Sequence, residues 1–493
     1  MQHLDVVVVG AGLSGVAAGH YLKTKCPWAT FAILEARSEM GGTWDLFRYP
    51  GLRSDSDMFT LGYSFHPWDG EKSIADGPDI LDYIHRVARD EGLEGSIHYH
   101  RRVVAADWST PDACWRLTVE HTDTGRRQEV TASFVLGCTG YYRYDHGYLP
   151  PFEGVERFPG PVVHPQDWPA DLDYAGKRVV VIGSGATAVT LVPALAAKAA
   201  QVVMLQRSPT YIATLPAVDP IANAIRRLLP DRPAGAAVRW FKALTTQASY
   251  QISRRWPDVV KRILRKQVER QLPPGYDVDT HFKPRYNPWD QRLCVVPNGD
   301  LFRAIRRGRV SMVTDRIERF TEKGVALESG TELEADIIIT ATGLDLVFMG
   351  GIDVSVDGQP VEVSNRLTYK GMMLEGVPNM ALAVGYTNAS WTLKCELTCD
   401  YVTRLLNHMR RTGRRQCTAV NDDPAVSPQP LLGLTSGYVV RSADRFPKQG
   451  SRFPWRVYQS YVQDYRAMKL SGVEDSVMRF TNPVAERELE AAG

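Results

Sequence analysis

VVVVGAGLSG, residues 6–15, and VVVIGSGATA, residues 179–188, are two copies of one pattern. Each has a run of β-branched residues, then a glycine-rich turn, then an apolar helical stretch, the order that opens a βαβ unit. The runs are continuously apolar rather than alternating, as strands of a parallel sheet covered on both faces are. Two further runs, Phe134–Gly140 and Asp336–Gly343, read as strands ending in tight turns. Each stands just before a change of unit, so both read as crossover points.

Two βαβ openings about a domain length apart imply an α/β chain with two Rossmann-like dinucleotide-binding domains. The crossovers predict that the first domain is discontinuous, 1–145 plus 340–493, with the second, 146–339, inserted between its parts. Within the second, a stretch of about 217–275 is rich in Arg, Lys, Leu and Trp and poor in Gly. There Val260, Leu264, Val268 and Leu272 recur every four residues, with Ile263 beside them, which predicts a helical insertion with one apolar face. Its basic residues, among them Arg254, Arg255, Lys261, Arg262, Arg265 and Lys266, read as a solvated face. Peripheral attachment to an acidic membrane surface is the alternative. The stretch Asp422–Gly437 reads as a connector.

In the first motif Gly10 permits the tight turn, Gly12 lets a pyrophosphate approach the backbone, and Gly15 allows close helix–strand packing. Glu35 stands 20 residues past Gly15, at the end of Phe31–Leu34, where a ribose-binding acid belongs. A carboxylate there favours a free 2′-hydroxyl, which fits FAD. The second motif is Gly183-x-Gly185-x-x-Ala188, and its following strand, Val202–Leu205, runs into Gln206-Arg207. A guanidinium in that place can clamp a 2′-phosphate with two parallel hydrogen bonds, which argues for NADPH over NADH.

The chain has 493 residues, enough for two or three domains, with an ordinary balance of 44% hydrophobic and 23% charged residues. A formal net charge of +2 gives no case for a nucleic-acid partner. Seven scattered cysteines do not read as a disulfide framework, and the pair Cys395 and Cys399, four apart with no second ligand pair, reads as buried thiols rather than a metal site. No basic region or cleavage site precedes the first apolar run, and no apolar stretch reaches spanning length. The expectation is a cytoplasmic protein, with peripheral membrane association as the alternative and the oligomeric state open.

Between the two glycine motifs lies Phe158-x-Gly160-x-x-x-His164-x-x-x-Trp168-Pro169. This resembles, position for position, the fingerprint of Baeyer–Villiger monooxygenases, flavin enzymes that turn ketones into esters. Gly41-Gly42-Thr43-Trp44 and Arg48-Tyr-Pro-Gly51 resemble the family's flavin-cradling segment, and the likeness runs over nearly the whole chain. Three segments, 48–57, 287–294 and 385–391, look like those of members that also oxidise thioamides. The resemblance implies that NADPH reduces FAD and that a peroxyflavin formed with O2 attacks a ketone, sulfide or thioamide. It also implies that Arg292 is the active-site cation, because Gln291-Arg292-Leu293 matches the family's arginine segment, and that Asp55 is the carboxylate paired with it. Taken without the family, both residues read as surface or salt-bridge residues. Many members have a lysine before this arginine that helps bind the NADP phosphate. Here the position is Gln291, so phosphate selection leans on Arg207. His164 reads as a linker residue, with a general base or a structural histidine as alternatives.

Three rivals share parts of this pattern. A flavin N- or S-monooxygenase that leaves ketones alone has both glycine motifs, but its fingerprint usually lacks the terminal Trp168-Pro169. A disulfide reductase needs a close cysteine pair near the flavin, where only Cys26 stands. A non-catalytic redox sensor predicts no constraint on Asp55 or Arg292.

Overall fold

The computed structural model describes residues 3–483. Residues 1–2 and 484–493, which the sequence reading assigns to the first domain, lie outside it. The chain opens with β1 (His3–Val9), α1 (Leu13–Lys25), β2 (Phe31–Leu34) and β3 (Ile97–His98). A meander follows, of β4 (Arg101–Ser109), β5 (Cys114–His121) and β6 (Arg127–Gly137). β1 is parallel to both β2 and β6, with Val6 opposite Phe31 on one side and Phe134 on the other.

The second set begins with β7 (Val162–Val163), β8 (Arg178–Ile182), α2 (Ala186–Leu195) and β9 (Gln201–Gln206). Three helices come next, α3 (Pro220–Leu228), α4 (Asp231–Arg255) and α5 (Pro257–Glu269). β10 (Val310–Thr314) and β11 (Ile337–Thr340) complete a five-stranded, wholly parallel sheet in the order β10-β9-β8-β11-β7. The chain then adds β12 (Asp353–Val356), β13 (Gln359–Pro360) and β14 (Met380–Leu382) to the first sheet, followed by α6 (Trp391–Thr412) and α7 (Gly437–Ser442). That sheet has nine strands, β13-β12-β4-β5-β6-β1-β2-β3, with β14 parallel to the end of β6.

The unbroken valine runs have a direct structural cause. In β1, Val6 and Val8 enter a core with α1 and α6, while Val7 and Val9 enter a second core with Trp108 and Trp115. In β8, Val179 and Val181 face one core, and Val180 and Ile182 face another with Phe320. With both faces covered, no position in the runs Val6–Val9 and Val179–Ile182 is left for a polar side chain. Each fully buried valine contributes roughly 1.5–3 kcal/mol relative to exposure.

The helical insertion forms, with two details that differ from expectation. Leu264, Val268 and Leu272 are buried, but α5 ends at Glu269, so Leu272 packs from the turn that follows. Ile263 is 61% exposed, because one residue before Leu264 is a rotation of about 100° off the buried stripe. The insertion is pinned to the turn at residues 60–62 and to α6 through Arg239 of α4, which is buried and donates to the carbonyls of Thr60 and Gly62 and to the Glu396 carboxylate. Ser64 donates to the same carboxylate from its backbone N–H (3.0 Å) and its hydroxyl (2.6 Å). Among the described residues, no helix is long and apolar enough to cross a membrane.

Candidate active site

Each glycine motif is shaped by a crossing strand end. Gly10 has φ +103°, and a Cβ there would lie 2.7 Å from the Cys138 carbonyl oxygen at the end of β6. Gly183 has φ +144°, and its Cβ would lie 2.3 Å from the Ala341 carbonyl oxygen just after β11. Both positions exclude any other residue, on conformation and on space. Gly15 is excluded by contact, since its Cβ would meet the Gly10 carbonyl oxygen at 1.9 Å. Gly185 faces open space, leaving its backbone accessible to a ligand, and Ala188 is fully buried against the second sheet.

A cavity of about 830 Å³ opens at the first motif, a size suited to a large cofactor. Its walls include Gly10, Gly12, Glu35, Gly42, Thr43 and Trp44, all of them residues expected from the sequence to hold FAD. Gly41 N donates to the Ala11 carbonyl (3.0 Å), and a Cβ on Gly42 would come within 3.1 Å of Gly12 Cα. The two glycine segments therefore form one cradle that side chains would fill. Glu35 is buried, and its carboxylate oxygens accept from the backbone N–H groups of Ala11 (2.8 Å) and Arg37 (2.9 Å). Those bonds fix the carboxylate and leave lone pairs for a hydroxyl donor.

The same cavity wall holds Asp55 and Arg292, whose Nη1 donates to Asp55 Oδ2 at 2.8 Å. The loop carrying Asp55 is held on both sides. Ser54 N donates to the Ala75 carbonyl (3.1 Å), and Arg53 pairs with Asp300. Arg292 stands just before Cys294, whose N–H donates to the Tyr211 carbonyl (2.9 Å). Burial works against the charge on Arg292, but the pull of Asp55 and of Tyr141, Tyr438 and Tyr142 outweighs it and holds the guanidinium well above the usual arginine value. Among the described residues, its Nε is buried without a hydrogen-bond partner, a donor left for a ligand.

The cavity also takes in Ala186, Thr187 and Thr190 from the first turns of α2, but Gly183, Gly185, Arg207 and Gln291 lie outside its lining. Arg207 is exposed and follows β9 as Glu35 follows β2.

The fingerprint residues are spread over the connection between the sheets. Phe158 is buried with Val180 and Phe320, and Gly160 is required because a Cβ would meet the Asp336 carbonyl oxygen at 2.4 Å. Trp168 lies edge-on to Tyr174 at 6.3 Å between centroids. His164 donates from Nε2 to the Gly343 carbonyl (3.1 Å) and accepts at Nδ1 from the Gln166 N–H (3.1 Å). The second bond requires the neutral ring, and burial keeps the His164 pKa below the usual histidine value. Gln166 Nε2 in turn donates to the Arg143 and Tyr144 carbonyls (3.0 and 3.1 Å).

Several wall residues had no assigned role in the sequence. Arg37 pairs with Asp45 (2.7 Å) and reaches the Gly42 carbonyl (3.3 Å), and its place two residues after Glu35 is the signal that could have found it. Tyr386 and Trp391 also line the cavity. Tyr386 donates to Asp464 (2.7 Å), which pairs with buried Lys394 (2.9 Å). Cys395 and Cys399 are buried on α6, and burial pushes the Cys395 thiol up to about 12.

The chain resembles known proteins over nearly its whole length. The family model for flavin-binding monooxygenase-like proteins matches residues 63–385, and one for an NAD(P)-binding Rossmann-like domain matches residues 8–72. The FAD-containing monooxygenase EthA of Mycobacterium tuberculosis is 54% identical over 480 residues, 97% of this chain and 98% of the relative. The probable FAD-binding monooxygenase AlmA of Acinetobacter baylyi is 45% identical over 481 residues, covering 97% and 96%. An oxidized steroid monooxygenase bound to NADP shares the fold at a TM-score of 0.78, with 22% identity and coverage of 98% of this chain and 100% of that one.

Proposed function

The chain belongs to the flavin-binding monooxygenase-like family, and on that premise we propose that it is a Baeyer–Villiger-type enzyme. It is a flavin monooxygenase with FAD and NADP(H) as its cofactors. In our reading FAD occupies the cavity at the first glycine motif and NADPH docks on the second. One oxygen atom of O2 goes into a ketone to give an ester or lactone, and sulfides and thioamides are further acceptors. The observation that carries the reading is the Arg292–Asp55 pair in the wall of the first motif's cavity.

When bound, FAD reduced by NADPH supplies the electrons that activate O2. The remaining work falls to this chain. A ketone carbonyl attacked by an oxygen nucleophile gathers negative charge on its own oxygen, and a fixed positive charge beside it lowers the barrier. Arg292 stays protonated, and its unpartnered Nε is free to donate there. Asp55 holds the guanidinium in one orientation. Gly12, Gly42 and the N-terminus of α1 would hold the pyrophosphate, Glu35 the ribose, and Thr43 and Trp44 the flavin. Tyr386 and Trp391 wall off water. Gly183, Gly185 and Ala188 seat the second nucleotide, and Arg207 takes its 2′-phosphate. His164 is a positioning residue. Through Gly343 and Gln166 it ties the connection between the sheets to the cavity's edge.

The test is oxygen uptake by the FAD-loaded protein with NADPH over a methyl ketone, an aryl sulfide and a thioamide. Ester from the ketone, in step with NADPH consumption, is the expected result. Oxidation of the sulfide with the ketone untouched would place the enzyme among the N- and S-monooxygenases.

A further inference from the structure

Arg441, on α7, comes from the last part of the chain and has no counterpart in either glycine motif. Its guanidinium lies 3.4 Å from the Tyr148 ring centroid. Tyr148 is fixed in turn, because its N–H donates to the Gly343 carbonyl (3.1 Å), the oxygen that also accepts from His164. A Cβ on Gly343 would sit 3.9 Å from Arg441 Nη2. Gly343 is two residues past Ala341, whose carbonyl packs against Gly183 of the second glycine turn. The guanidinium is thus brought to the second motif by the crossover that shapes that motif.

Among the described residues, neither Arg441 nor Arg207 has a hydrogen-bond acceptor or an acidic partner. Asp345, which acts on Arg441, is itself paired with Arg143 (2.9 Å) and Arg445 (2.6 Å). Burial lowers the Arg441 pKa. Tyr148 and Asp345 oppose that effect, while Arg207 and Arg445 add to it. A guanidinium held flat on a tyrosine ring, beside the crossover that shapes the second motif and without an acidic partner, is a preorganised site for an anion. Gln291 brings no charge of its own to the task.

The geometry points to Arg441 as the second cation of the nicotinamide-nucleotide site, holding a phosphate of NADPH together with Arg207. This rests on the reading of the second glycine motif as that site. The phosphate is either the 2′-phosphate or the pyrophosphate, and the choice of ligand in the test separates them.

The FAD-loaded protein is titrated calorimetrically with NADP+ and with NAD+, comparing the unaltered chain with Arg441→Ala, Arg441→Lys and Arg207→Ala. Arg441→Ala is expected to weaken NADP+ binding about tenfold or more, as loss of one charge-assisted contact does. Its flavin content and thermal midpoint should match the unaltered chain. Arg441→Lys should fall between the two, because it keeps the charge but loses the stacked fork. Weakening confined to NADP+ assigns the 2′-phosphate, and equal weakening of NAD+ assigns the pyrophosphate. Unchanged NADP+ binding in Arg441→Ala, with weakened binding in Arg207→Ala, overturns the role of Arg441 and leaves the nucleotide site standing. Failure of the unaltered chain to bind NADP+ overturns both.

Discussion

Arg292 and Asp55 are 237 positions apart in the chain and 2.8 Å apart in the fold. Each is held by its own backbone anchors, Asp55 by the loop bonded to Ala75 and Arg292 by the strand bonded to Tyr211. Their meeting puts a cation of fixed orientation, with one donor free, into the wall of the cavity at the first glycine motif.

Replacing the carboxylate should loosen that orientation without removing the charge. In Asp55→Asn we expect NADPH-driven flavin reduction to persist and ester formation to fall about 10–100-fold, the scale on which misplacement of a reacting group costs rate. More of the O2 consumed should appear as free hydrogen peroxide. Measuring ester and peroxide in the same reaction checks this, and unchanged coupling would show that Asp55 does not orient Arg292.

The insertion is fastened by a buried ion pair, and breaking one side leaves the other charge stranded. Arg239→Ala should destabilise the protein by about 3–5 kcal/mol, because Glu396 then has no cation. Arg239→Met combined with Glu396→Leu should cost less than the sum of the two single changes. Urea midpoints of the unaltered chain, Arg239→Ala, the two single variants of the pair and the double variant decide it, and simple additivity would contradict the pairing.

His164 gives the connection between the sheets a pH dependence. Its folded pKa is held below the ordinary value by burial, with Asp167 opposing and His146 assisting. The unfolded chain takes up this proton near pH 6.5, and the folded chain only at lower pH. As pH falls below about 6.5, the unfolded state therefore binds more protons, and the stability this residue contributes is lost. His164→Asn keeps an acceptor for the Gln166 N–H but does not titrate. The drop in thermal midpoint between about pH 7.5 and about pH 5.5 should be smaller in this variant than in the unaltered chain. An equal drop would place the titration elsewhere.

Much of this site is legible in the sequence because sterics impose it. Gly10 and Gly183 must be glycine where a strand carbonyl crosses them, and β1 and β8 must be apolar on both faces because each is sandwiched between two cores. Glu35 and Arg207 are legible for a related reason, since each follows directly from a strand end that the pattern locates. Pairings made across the chain are not legible in this way. Nothing local to Asp55 or Arg292 marks their contact, which only the likeness to a family suggested. The hold of Arg239 on Glu396 and the approach of Arg441 to the second motif leave no periodic trace. Ile263 shows the limit of pattern itself, because a helix face one residue wider than its neighbour's shape allows turns into solvent.

In our reading Arg292 serves oxygen transfer and not flavin reduction. This is tested most directly by supplying the FAD-loaded enzyme and its Arg292→Ala variant with NADPH, a methyl ketone and isotopically labelled dioxygen. The ester from the unaltered enzyme should carry one labelled oxygen atom. In the variant the flavin should be reduced at a similar rate, with ester lowered at least about 100-fold. Labelled ester at the same yield from the variant would contradict it.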